Sequence, residues 1–219
     1  MKITMSTARN GERGFSLVEL LTVASIILIL SAMSLPFIYN WKRQYKSEDQ
    51  CLKVLDLLRE TSQLATTRRR TMRFELDMTS NAALIIDENG TNPDRLVKKI
   101  PLEDLKEVRM DVLPTGFTRP NPPNYNDAIF AIDTLGHLEA STSVTGNRVW
   151  AARFGSDGSV VNATNVPLNA TVYCFPPVLY NSASPRSTGE TRAITVSGGN
   201  GAVRYWKPNG AGTFFTAAY

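Results

Sequence analysis

The sequence predicts an α+β protein in which one long N-terminal helix precedes an antiparallel β-sheet domain. An apolar run begins at Phe15 and continues into an amphipathic segment, so the first third of the chain has helical character. From Thr71 onward the chain instead shows short β-like runs separated by Gly, Pro and Asn turns. We therefore expect the C-terminal half of the helix to pack on the sheet.

The apolar run is long enough to cross a membrane. From Phe15 to Leu35 every residue is apolar or small and neutral except Glu19 and Thr22. These 21 residues would span about 32 Å as a helix, which matches the core of a bilayer. Pro36 then removes a helix donor, so a kink is expected there. We assign residues 15–36 to a transmembrane helix.

The helix is predicted to continue through residues 37–67 as an amphipathic segment. Its charged side chains fall away from a single apolar stripe, which is the pattern of a helix with one buried face. This stripe would contact the sheet. It consists of Cys51, Val54, Leu55, Leu58 and Ala65, with Leu52 and Leu57 beside it.

Residues 68–219 are predicted to form a β-rich globular domain. Two stretches rich in Pro, Asn or Ser, at 114–127 and 182–190, are predicted to be long surface loops. The expected strands are Thr71–Asp77, Ala83–Asp87, Leu96–Ile100, Glu107–Leu113, Ala128–Ile132, Arg148–Phe154, Ala170–Cys174, Arg192–Val196 and Ala202–Trp206.

A short basic segment precedes the apolar run. Residues 1–14 carry Lys2, Arg9 and Arg13 against Glu12. Positive charge before a membrane helix places the N-terminus in the cytoplasm and the following domain on the other side. The segment is not a secretory signal peptide, because the small residue at its end, Gly14, lies upstream of the apolar run. Cleavage there keeps the helix.

A carboxylate lies near the start of the apolar run. A charge inside a membrane costs on the order of 2.5 kcal/mol or more. We therefore take Glu19 as a candidate functional residue. An uncleaved single-pass anchor with an incidental carboxylate is the alternative. That alternative explains the length of the run but neither Gly14 nor the position of Glu19.

The heptapeptide Gly14-Phe15-Ser16-Leu17-Val18-Glu19-Leu20 closely resembles the class III signal of type IV prepilins and pseudopilins. The resemblance implies a pilin-like fold, cleavage after Gly14 by a prepilin peptidase, and N-methylation of Phe15. It further implies that the protein is stored in the bacterial inner membrane with its C-terminal domain periplasmic or extracytoplasmic. The expected partners are the prepilin peptidase, other pilin or pseudopilin subunits, the inner-membrane assembly platform and membrane lipid.

The same resemblance assigns Glu19 to assembly. As the fifth residue of the mature chain, its carboxylate would meet the positive N-terminal amine of a neighbouring subunit. An α-amino group with a pKa near roughly 8 stays mostly charged at neutral pH, and opposite charges attract strongly in a low-dielectric layer. Pairing within one chain is open as well, because Phe15 and Glu19 are four residues apart on one helix face.

The β-domain is most similar to the GspH and FimT-type group of pseudopilins. Two stretches carry that similarity: Arg153–Gly158, a strand entering an Asp-Gly turn, and Arg192–Trp206, a strand pair around a glycine turn. The resemblance implies a minor pilin or pseudopilin that helps to initiate or cap a filament of a type II secretion system or type IV pilus. The alternative is a filament-tip binding module, either an adhesin or a DNA receptor.

No enzymatic site is predicted, and neither a cofactor nor a metal is expected. The chain has a single histidine, His137, and a lone histidine is more often packed or solvated than catalytic. It also lacks a Gly-rich phosphate loop and Cys/His metal spacing. The oxygen-rich segment from Asp87 to Asp94 lacks the spacing of a calcium loop, so a solvated hairpin turn is expected there.

Two basic groups could contact DNA, although nucleic acid is not expected as a partner. Arg68, Arg69 and Arg70 lie where the helix ends, where cations are favoured by the helix dipole alone. Some FimT-type pilins bind DNA through a basic, glycine-containing motif near the C-terminus. The matching place has Arg204 and Lys207, but Ala202 stands where that motif would carry its first arginine.

The two cysteines leave two alternatives open. Cys51 is on the predicted amphipathic helix and Cys174 on a predicted strand. An exported compartment would permit a disulfide between them. The other alternative is a pair of buried free thiols, because unpaired cysteine is often buried.

Overall fold

The computed structural model describes residues 15–88, 94–121, 131–162, 166–179 and 182–216. The chain divides into two compact units, Met1–Trp41 and Lys42–Tyr219. One helix, α1 (Leu17–Arg68), begins in the first unit and ends in the second. The predicted long helix is therefore confirmed. Pro36 lies within it, and the kink expected there stays a prediction.

Short strands follow the helix and form two sheets, so the described residues have an α+β fold. The strands are β1 (Thr71–Asp77), β2 (Ala82–Glu88), β3 (Arg95–Pro101), β4 (Arg109–Asp111), β5 (Ala131–Ile132), β6 (His137–Glu139), β7 (Thr142–Val144), β8 (Arg148–Phe154), β9 (Val160–Val161), β10 (Ala170–Phe175), β11 (Arg192–Val196), β12 (Val203–Pro208) and β13 (Phe214–Thr216).

The chain crosses between the two sheets, so that β4 and β10–β13 form the second sheet and the remaining strands form the first. The first sheet has the order β5-β8-β1-β2-β3-β6-β7, with β9 paired to β8; the second has the order β13-β12-β11-β10-β4. All pairs are antiparallel except β3 with β6, which meet only at Arg95 and Leu138. The sequence predicts an antiparallel sheet, and the pairing of the described strands is antiparallel apart from this one short contact. The parallel pair arises because the chain leaves the first sheet for β4 before it returns, and a parallel pair needs such a long crossover.

Most predicted strands are confirmed within one or two residues, but four were missed. Of the expected strand Ala128–Ile132, residues 128–130 lie outside the described residues. The missed strands are β6, β7, β9 and β13, each of two or three residues. The hairpin that joins β6 to β7 turns at Ala140 and Ser141, both with positive φ. Such turns usually contain Asn or Gly, so no hairpin signal is visible at these two residues.

The second half of α1 forms one core with both sheets. The predicted stripe is confirmed: Cys51, Val54 and Leu58 are fully buried, whereas Lys53, Asp56 and Arg59 are exposed. The core also takes the inward-facing side chains of both sheets. These include Met72, Phe74 and Leu76 of β1, Trp150 and Phe154 of β8, Val172 of β10 and Ile194 of β11.

Two glycine turns meet on the helix. The carbonyl oxygen of Gly158 lies against Gly201 so closely that a side-chain carbon at position 201 would collide with it. A side-chain carbon built at Gly158 would lie 3.4 Å from Thr66 Cγ2 of α1. One built at Gly201 would lie 3.7 Å from Ser62 Oγ of the same helix. We call this arrangement the glycine junction. It brings together the two C-terminal stretches that suggested the GspH and FimT-type group.

Candidate processing and assembly site

The prepilin-like motif coincides with the first turn of α1. The backbone N–H of Ser16 donates to Glu19 Oε2 at 3.2 Å, and the backbone N–H of Glu19 donates to Ser16 Oγ at 3.1 Å. This reciprocal pair is a capping box, which satisfies two backbone donors that a helix start leaves unpaired. The spacing Ser-x-x-Glu before an apolar run was the sequence signal for it. Sequence reasoning had missed that signal.

The capping box places the helix start next to the expected processing point. Ser16 is the cap, Phe15 directly precedes it with 82% of its surface exposed, and Gly14 lies outside the described residues. A carboxylate in the first turn is also stabilised by the positive end of the helix dipole. Glu19 is thus held beside the residue that would become the N-terminus.

The helix after the motif presents an apolar surface on all sides. Every side chain from Phe15 to Tyr39 is exposed, and the helix is long and apolar enough to cross a membrane. Three of its hydroxyl groups are satisfied within the helix. Thr22, Ser25 and Ser34 donate to carbonyl oxygens three or four residues earlier, each at 2.8 Å. This segment therefore exposes no unpaired hydroxyl donor at those positions, as lipid requires.

The basic residues at the end of α1 close the helix. Arg69 has φ of +53°, and the N–H of Arg70 donates to the Ala65 carbonyl at 3.1 Å, which is a Schellman cap. The guanidinium groups of Arg68 and Arg70 lie 3.6 and 3.8 Å from the same Asp87 oxygen. Two of the three arginines thus share one buried carboxylate.

The two C-terminal basic residues, Arg204 and Lys207, have different surroundings. Arg204 is exposed on β12, whereas Lys207 Nζ lies 2.8 Å from Glu48 Oε1 on α1. Glu48 also receives Arg192 and the hydroxyl of Tyr205, each at 3.4 Å. Lys207 therefore belongs to a cluster that joins the helix to the second sheet.

The cysteines are neighbours in the core. Both are free and fully buried, with no disulfide between them. Burial raises the pKa of Cys51 well above its usual range, and a hydrogen bond with Cys174 acts in the same direction. Cys174 Sγ also lies 3.5 Å from the Ser47 carbonyl oxygen, so the thiols join the helix to β10 by packing and weak hydrogen bonds.

His137 is packed, as expected of a lone histidine. It is only 2% exposed on β6, and burial lowers its pKa. In the segment Asp87–Asp94 the described acidic residues are paired with arginines: Asp87 as above, Glu88 with Arg73 and Arg153, and Asp94 with Arg73. Residues 89–93, where the hairpin turn was expected, lie outside the described residues.

An exposed apolar helix, capped at its motif and followed by a β-domain, defines a class of subunit built for membrane anchoring. Residues 9–35 match the family model of the prokaryotic N-terminal methylation motif. The chain is a type IV prepilin-like protein. The motif implies processing by a prepilin peptidase and assembly with other pilins. Comparison with curated proteins and with solved structures found no significant match.

Proposed function

We propose that the protein is a minor pilin or pseudopilin of the GspH and FimT type, which helps to initiate or cap a filament. The filament belongs to a type II secretion system or a type IV pilus. The observation that carries the proposal is Glu19, a carboxylate fixed in the first turn of a fully exposed apolar helix. A plain anchor would gain only the helix cap from this residue, and a neutral glutamine would provide that cap without the insertion cost of a charge.

The mechanism is physical and needs no catalysis by this chain. The helix of residues 15–36 stores the subunit in the inner membrane, with the N-terminus cytoplasmic and the β-domain outside the cytoplasm. The prepilin peptidase cuts after Gly14, and the new amine of Phe15 is methylated. An unperturbed α-amino group has a pKa near roughly 8 and is mostly cationic at neutral pH. Docking then pairs the Phe15 amine with Glu19 of a neighbouring subunit, and exposed apolar surfaces of adjacent helices pack together.

The binding-module alternative lacks a comparable observation. Lys207 is bound to Glu48, Arg68 and Arg70 share Asp87, and Ala202 supplies no charge. Contacts to DNA phosphates need Lys or Arg side chains that are available to neutralise the phosphates, which releases the counterions bound to the DNA. We therefore propose assembly with other subunits, and not a DNA receptor or an adhesin, as the function.

A photo-crosslinking residue at Leu28 tests the proposal. Leu28 is 70% exposed on the apolar helix, so in a filament it should contact helices of other subunits. We expect crosslinks from Leu28 to other prepilin-like proteins, and their loss in cells that lack the assembly ATPase. Leu179, 71% exposed on the β-domain, is the matched control position, at which no helix-to-helix crosslink should form. Adducts from Leu28 that contain lipid only would indicate a plain anchor and contradict the proposal.

A further inference from the structure

The outer face of β1 carries a row of charged side chains that are buried. Arg73, Glu75 and Asp77 alternate along this strand with the apolar residues of the core, a pattern that normally places polar side chains in solvent. Each of the three is only 1% exposed. The sheet therefore has a second, polar interior on the side that faces away from the helix.

A tight turn brings two more polar side chains over this row. Asp133 accepts the backbone N–H groups of Leu135 and Gly136 at 3.0 to 3.2 Å, which fixes its carboxylate. Gly136 has φ of +70°, and a side-chain carbon there would lie 2.9 Å from the Val144 carbonyl oxygen. The turn thus needs its glycine, and it directs Asp133 and His137 toward Glu75. One oxygen or nitrogen atom from each of these three residues lies within 4.8 Å of the others.

Several atoms in this interior have no hydrogen-bond partner. They are both ring nitrogens of His137 and the Oε2 atom of Glu75, in side chains that are 2% and 1% exposed. Glu75 Oε1 does lie 2.5 Å from Arg73 Nε, an ion pair without hydrogen-bond alignment. A buried polar atom left unpaired has lost its hydrogen bonds to water without gaining others, which destabilises the fold. A group that binds both side chains would remove that cost.

The charges in this interior are out of balance. Among the described residues, the guanidinium groups of Arg73 and Arg153 face five carboxylates. Arg73 contacts Glu75, Glu88 and Asp94, and Arg153 contacts Glu88. The other two carboxylates, Asp77 and Asp133, lie close enough to act on Glu75 electrostatically. Burial raises the pKa of Glu75 to about 7, so this excess of carboxylates can be met either by a proton or by an additional cation.

We propose that Glu75, Asp133 and His137 bind a divalent transition-metal ion, for which zinc is the best chemical match. Imidazole nitrogen selects zinc and its neighbours in the first transition row over magnesium and calcium, and carboxylate oxygen completes a zinc site. Tetrahedral zinc, with bonds of about 2.0–2.2 Å, holds its ligand atoms roughly 3.3 Å apart. The three side chains must therefore close by at most about 1.5 Å around the ion.

The ion would join the β6–β7 hairpin to the centre of the first sheet. The backbone of that hairpin pairs with β3 at one parallel position, whereas β1 is paired on both sides along its length. His137 opens the hairpin and Glu75 lies in the middle of β1. Metal binding would stabilise the folded domain by mass action, because the unfolded chain holds no such site. This inference does not depend on the proposed function.

The test uses the full chain in detergent micelles, purified without a histidine tag and stripped of metal with a chelator. After equilibration with zinc and removal of the excess, we expect one zinc ion per chain by elemental mass spectrometry. Cobalt(II) should bind in its place and give visible d–d bands, with zinc raising the melting temperature. His137→Ala should weaken zinc binding more than about 100-fold, since outer-shell changes alone cost 10–100-fold.

Glu139→Gln is the matched control. Glu139 lies two residues further along the same strand, and its carboxylate binds Lys99 at 2.8 and 2.9 Å. Zinc content and affinity should not change in this variant. If wild type retains no stoichiometric zinc and gives no cobalt bands, Arg73 is the cation of this interior and the proposal is wrong. Undiminished binding in His137→Ala would place zinc elsewhere and also overturn it. The wild-type measurements decide even if the variant does not fold.

Discussion

A Glu19→Gln variant should be cleaved and inserted normally, yet enter filaments at least about tenfold less than wild type. Glutamine has the same shape and can still accept the Ser16 N–H, because either residue serves in a capping box. What it lacks is the charge that would meet the neighbour's amine. The loss should be large, because the unpaired amine would be left in a low-dielectric layer.

Ser16→Ala is the matched control for this experiment. It removes the hydroxyl that accepts the Glu19 N–H but keeps the carboxylate. Incorporation is measured by the fraction of protein recovered in sheared filaments or crosslinked to other prepilin-like subunits. If the two variants lose incorporation equally, Glu19 acts through the helix start alone, and pairing between subunits is not its role.

A Gly201→Ala variant should destabilise the β-domain by about 3 kcal/mol, combining backbone strain with a steric clash. The backbone at this position has φ of +63°, and the added carbon would collide with the Gly158 carbonyl oxygen. That atom belongs to the backbone, so relief requires one turn of the glycine junction to move. The melting temperature should fall by about 6–12 °C for a chain of this size.

Two other glycines allow the backbone strain and the steric clash to be measured separately. Gly199, two residues earlier, has open space at its Cβ position and no positive φ, so Gly199→Ala should change little. Gly146 has φ of +80° but open space, so Gly146→Ala should show the strain alone. The melting of the detergent-solubilised protein can be followed by the fluorescence of the buried Trp150 and Trp206. Equal melting temperatures for Gly201→Ala and Gly199→Ala would show that the close approach carries no stability.

The parts of the fold that were predicted correctly rest on strong periodic patterns. The apolar run, the helix stripe from Cys51 to Ala65, and strands such as β8 and β11 each repeat a pattern over several residues. In those segments the local signal and the tertiary packing agree, which is why the sequence alone was sufficient. The motif at Gly14–Leu20 likewise predicted the prepilin-like class that the family match supports.

The parts that could not be predicted depend on tertiary contacts. Alternation along β1 would place Arg73 and Glu75 in solvent, but a turn and a hairpin from more than fifty residues away bury them. The hairpin itself turns through Ala140 and Ser141, which carry no turn signal. The three proposed metal ligands come from a strand, a loop and a hairpin, so they leave no recognisable spacing in the sequence.

The mass of the protein recovered from membranes is the most direct test of its function as a processed prepilin. In cells with an active prepilin peptidase, we expect a chain that begins at Phe15 and carries one N-methyl group. A Gly14→Ala variant should be processed better than Gly14→Leu, because a small residue leaves the backbone accessible to the peptidase. A wild-type mass that corresponds to an N-terminus at Met1 in the same cells would contradict the account.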